Sequence, residues 1–133
     1  MCKPNTLILI MTLLSLLWGI GYLVFPVQMW ALYGIALDSG GIYMSRELGT
    51  IFFMLGLILW LARNDPGSQS FRAIVIDLFV GNLIGFIVTQ IGQFSAGVSA
   101  LGWVGVASYL LLALGFGYCL IKPTGAMIKA SQG

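Results

Sequence analysis

Histidine is absent from this sequence. That removes the commonest metal ligand, the usual haem ligand and the usual general base near neutral pH. Charge is scarce as well. Six basic and four acidic residues make up 8% of the 133, where a soluble domain carries about 25%. A globule this poor in charge could not cover its own surface, so the composition speaks against a soluble fold. The net charge of +2 is too small, and its carriers too scattered, for a nucleic-acid partner. The two cysteines, Cys2 and Cys119, lie far apart and form no CxxC pair. The thioredoxin-like and zinc readings therefore have no support. No recognisable catalytic constellation is left, and neither a metal nor another cofactor is expected.

What the sequence does have is apolar length. Hydrophobic residues make up 59% of it, with a mean hydropathy of +1.02. Four long runs hold most of them: Leu7–Phe25, Leu48–Ala62, Ala73–Ile91 and Ala100–Ile121. About 20 apolar residues cross ~30 Å of hydrocarbon as a helix. Runs one, three and four reach that length, and run two does if it starts near Ile42 or Ser45. The expected fold is all-α: one integral membrane domain over 1–133, a four-helix transmembrane bundle with spans at about 5–25, 45–63, 71–92 and 99–121.

The first run follows Lys3 and is longer than the ~7–15 residues of a signal-peptide core, and no small-x-small site closes it. It reads as a retained span. Pro26 ends it, because a residue before proline is pushed out of the helical region. Val27–Tyr33 is too short to cross, and its Trp30 and Tyr33 suit the headgroup region, so a short interfacial helix is expected. Gly34 can close it. Asp38–Gly41 and Asn64–Ser68 are turn signals.

With four spans, the two termini and the second connection share a side. Lys3, Arg63, Arg72, Lys122 and Lys129 fall there, and only Arg46 falls opposite. The positive-inside bias places both termini in the cytoplasm of a bacterial inner membrane. Both cysteines then face a reducing compartment and are expected as thiols.

Five residues are candidates for a ligand site: Asp77, Asn82, Arg46, Glu47 and Tyr109. Asp77 is the one acid well inside a run, where a carboxylate costs several kcal/mol unless paired or wetted. Its plain reading is a pair with Arg72 or Arg63; its sharper one is a ligand or proton site. In the third run Asp77, Gly81, Asn82, Gly85, Thr89, Gly92 and Gln93 fall within about half the helix circumference. That half is expected to face protein, with Val80, Ile84 and Ile87 among those facing lipid. Gly81 and Gly85 form a GxxxG, which serves packing inside the bundle or, alternatively, contact with a second copy. Thr12, Ser15, Gly19 and Tyr22 form an inward face of the first span, and Tyr109 and Ala113 belong to one on the fourth. A closed core is the plain outcome and a small lipophilic pocket the sharper one. At the opposite end Arg46 is expected to pair with Asp38 or bind an anionic headgroup, and Glu47 to cap the second span.

Gly41–Asn64 carries an Arg-x-x-Gly-x6-Gly pattern (Arg46, Gly49, Gly56) after an aromatic segment ending in Tyr33-Gly34. With four spans in about 130 residues, this resembles the small bacterial four-helix membrane proteins of DoxX-like type, most without an assigned activity. The resemblance implies a small membrane subunit, in one case of a quinone-linked sulfur oxidoreductase. It carries over no catalytic residue. The expected function is that of a small inner-membrane protein without its own catalysis, an accessory subunit or lipophilic-ligand binder. Its partners would be the bilayer and a larger membrane complex or a second copy through Gly81 and Gly85. The alternatives are a small dimeric transporter using Asp77 and a membrane subunit of a quinone-linked oxidoreductase.

Overall fold

The computed structural model describes residues 4–65, 67–95 and 98–122, with single positions at 125 and 132. Among them are five helices and no strand: α1 (Pro4–Val24), α2 (Pro26–Ala31), α3 (Ser39–Ala62), α4 (Gln69–Ser95) and α5 (Gly102–Ile121). All but α2 are long and apolar enough to cross a membrane. The chain is an all-α four-helix bundle with the short α2 at one end.

The helix ends follow local chemistry. Pro4 opens α1, where its missing N–H costs nothing. Phe25 leaves the helical region ahead of Pro26, which then opens α2 as its first residue. Gly34, at φ +75°, takes the left-handed turn beyond α2 that a side chain would resist. α3 begins at Ser39, earlier than Ser45, because Asp38 is extended and its Oδ1 accepts from the Gly41 N–H at 2.7 Å. The cap expected of Glu47 is thus supplied by Asp38. Ser68 does the same for α4, its Oγ accepting from the Phe71 N–H at 3.0 Å. α5 starts at Gly102 and not Ser99, because Ser99 is engaged elsewhere. Its N–H and Oγ donate to the Tyr33 and Leu32 carbonyls, each at 3.0 Å.

α1 lies along α3, and α4 along α5, as two antiparallel pairs. Glycines set the first contact. A Cβ on Gly19 would stand 2.8 Å from the Phe53 amide nitrogen, and one on Gly49 2.8 Å from the Gly19 carbonyl oxygen. Backbone therefore touches backbone, the closest approach two helices can make. Gly56 admits the Leu16 side chain further along. Gly49 and Gly56 thus both have a packing role on this face of α3.

The two pairs meet in an apolar core of Ile8, Leu59, Phe71, Val75, Leu78, Phe116 and Cys119. It fills the half of the bundle nearer the termini. Cys119 is disulfide-bonded, while Cys2 lies outside the described residues. The expectation of a thiol at Cys119 is corrected.

The inward face of α1 is as expected, with Thr12, Ser15, Gly19 and Tyr22 all buried. That of α4 holds in part: Asn82 is buried, Gly85, Thr89, Gly92 and Gln93 are half-buried and Val80, Ile84 and Ile87 are exposed, but Asp77 and Gly81 are exposed and Phe71, Val75 and Leu78 are buried. Asp77 precedes Leu78 by about 100° of helical rotation, enough to turn it outward once Leu78 points in. The core at this depth is apolar, and an unpaired carboxylate has no place in it.

Candidate functional site

The half of the bundle under α2 is built differently from the apolar core. Tyr22 of α1, 6% exposed, stacks on Trp30 of α2 with ring centroids 5.4 Å apart and planes at 16°. Phe52 of α3 closes on the same ring at 6.1 Å, and Tyr33 lies 6.1 Å from Trp30. Polar edges tie these rings to neighbouring elements. Trp30 Nε1 donates to Ser45 Oγ on α3 at 2.9 Å, and Trp18 Nε1 on α1 donates to the Tyr33 hydroxyl at 3.3 Å. Gln93 Nε2 of α4 donates to the Val98 and Ser99 carbonyls at 3.2 and 3.1 Å. Ser99 in turn holds the end of α2. The short helix is thus fastened to α1, α3 and the α4–α5 connection.

The Tyr109 ring lies over Gly85 of α4, where a Cβ would stand 2.5 Å from ring carbon Cε1. A turn before Gly85 is Asn82, 3% exposed. Its Nδ2 donates to the Leu78 carbonyl at 2.6 Å, and its Oδ1 is buried without any hydrogen-bond partner. An unmet buried acceptor costs about 1–3 kcal/mol. Both indole N–H groups are used within the protein, so the interior offers stacked rings, phenols and one open amide oxygen. It has the chemistry to hold an uncharged, partly flat amphiphile that donates a hydrogen bond.

Of the five candidate residues, Asn82 is buried on α4, and Tyr109 of α5 packs against Gly85, three residues further along α4. The other three lie outside. Asp77 is exposed on α4 and pairs with neither Arg72 nor Arg63. Arg46 and Glu47 are exposed on α3, and Arg46 does not pair with Asp38, whose carboxylate is used as a cap. Among the described residues no three Cys, Asp or Glu side chains converge as a metal site would require.

Several participants are not evident from the sequence. Ser45, Trp18 and Ser99 act through contacts between distant segments. Arg63 had a local signal. Trp60 precedes it by three residues on a helix, and the guanidinium lies 3.5 Å from the Trp60 ring centroid. A cation and an aromatic ring at i and i+3 share one helix face.

Fold and interior together define a four-span helical membrane bundle with an aromatic, hydrogen-bonding half and an apolar half. Searches against protein-family models, curated proteins and solved structures find no match.

Proposed function

We propose that this chain is a small membrane protein without catalysis of its own, an accessory subunit that binds a lipophilic ligand beneath α2. The open Asn82 Oδ1 carries the reading. A buried acceptor, one turn from the Gly85–Tyr109 contact, is costly when empty and is met by a ligand donating one O–H or N–H. The test is lipid extraction and mass spectrometry of protein purified in mild detergent. Wild type should retain an amphiphile with a hydroxyl or amine head, and Asn82→Leu should lose it. Equal retention by both removes Asn82 from the site. A co-purifying quinol, which can donate to this oxygen, would make the chain a subunit of a quinone-linked oxidoreductase, as the DoxX-like resemblance implies.

A small dimeric transporter is the second reading. Asp77 stands on the outward face of a span, and among the described residues it has no ion pair and nothing lies within 4 Å of a Cβ placed on Gly81, one turn on. A second copy could cover both. Proton-coupled transport would be lost in Asp77→Asn with folding unchanged; a fully active variant rejects it.

The bacterial inner membrane, with both termini cytoplasmic, is the proposed location. Arg63, Arg72 and Lys122 at one end of the bundle support it, against Arg46 at the other. The Cys119 disulfide weighs the other way, since such bonds are rare in reducing compartments.

A further inference from the structure

A groove of about 360 Å³ opens where α1 begins and α3 ends, at the opposite end from α2. Asn5, Thr6, Leu9, Arg63 and Asn64 line it. The Trp60 ring supports the Arg63 guanidinium from one side, which fixes a planar, permanently charged fork. Among the described residues Arg63 has no ion pair, although Asp65 is only two residues away, and its buried Nε has no acceptor. Among the described residues no carboxylate lines the groove. Its other polar members, the Asn5 and Asn64 amides and the Thr6 hydroxyl, can all donate hydrogen bonds. The first turn of α1 adds the positive end of a helix dipole.

We infer that this groove binds a phosphate ester, namely the phosphodiester of a membrane phospholipid. An arginine fork with amide and hydroxyl donors matches phosphate oxygens. The setting points to a lipid and not to a free anion. The groove sits at the mouth of two spans, the headgroup level of a bilayer. Leu9 lies about 7 Å deeper than Pro4 by helical rise, where acyl chains would run. The site is independent of the Asn82 interior, so either can fail without the other.

The experiment titrates the full-length protein in uncharged detergent with dihexanoyl phosphatidylglycerol, dihexanoylglycerol and inorganic phosphate, read by native mass spectrometry and calorimetry. Saturable binding of the phospholipid is expected, with none of the phosphate-free diacylglycerol. Arg63→Gln should weaken it by at least ~10-fold, the loss of charge-assisted hydrogen bonds. Asn64→Asp should do the same by repulsion; its exposed position beyond α3 spares the fold and keeps the test decisive if Arg63→Gln does not fold. Arg72→Gln, an exposed arginine at the same end but outside the groove, should bind as wild type. Inorganic phosphate binding as tightly as the phospholipid would uphold phosphate recognition and overturn the lipid assignment. Equal losses in Arg72→Gln and Arg63→Gln, or wild-type binding by Asn64→Asp, would overturn the site.

Discussion

At the residue scale, two kinds of position separate function from packing. Asn82 is a buried polar group with one unmet atom. In delipidated protein, Asn82→Leu should raise stability by roughly 1–3 kcal/mol, because it removes an unpaired acceptor from the interior. A higher thermal midpoint together with loss of bound amphiphile would show stability given up for binding. A lower midpoint would make Asn82 a structural residue. Glycines divide in the same way. Gly49→Val should cost at least ~2 kcal/mol, since its side chain meets the Gly19 carbonyl and Leu23 amide at 2.8 and 2.9 Å. Gly81→Val meets nothing and should leave the monomer within about 1 kcal/mol of wild type. If Gly81→Val nevertheless shifts a dimer to monomer in cross-linking, a second copy occupies that face.

Among the elements, the ends were legible and the rotations were not. Pro26, Gly34 and Asn64–Ser68 are local breakers, and α2 and the second connection fall where they place them. α1 showed its inward face because Thr12, Ser15 and Gly19 mark one side of an otherwise apolar helix. α4 was legible only from Asn82 onward, because polarity does not separate inside from outside in lipid: Phe71, Val75 and Leu78 turn inward, while Asp77 and Gly81 turn out. Packing is the driving force there, and a bulky ring fills an interior as well as it faces an acyl chain. The cap of α3 is a direct test of local control. Asp38→Ala should cost about 1 kcal/mol and speed hydrogen exchange at the Gly40 to Ile42 amides, with the rest of α3 unchanged. Uniform exchange across α3 would mean that the tertiary contacts fix its start.

On the scale of the whole molecule, the four-span bundle was legible because solvent decides it: runs this long have few other folds. The candidate site was half legible. Asn82 and Tyr109 stood out as polar groups in apolar runs, while the α2 cap is held by Ser99 and Ser45 bonds that no local pattern announces. Orientation has a simple check. A reporter fused after Gly133 should be active on the cytoplasmic side. Activity on the opposite side would invert the bundle and put the Cys119 disulfide in the oxidising compartment where such bonds persist.

The pairing of α1 with α3 and α4 with α5 also bears on how the chain is made. Each pair is contiguous in sequence, apart from the small α2, and carries its own glycine-lined seam. A translating ribosome therefore delivers one self-satisfied hairpin to the membrane before the other exists. The Asn64–Ser68 turn is the natural seam between the two halves. Residues 1–65 and 67–133, produced as separate chains in one cell, should both insert and then find each other through the Ile8–Leu59–Phe116 core. The Ser99 bonds to the end of α2 would be the last to close, so the aromatic cap would mark the finished protein.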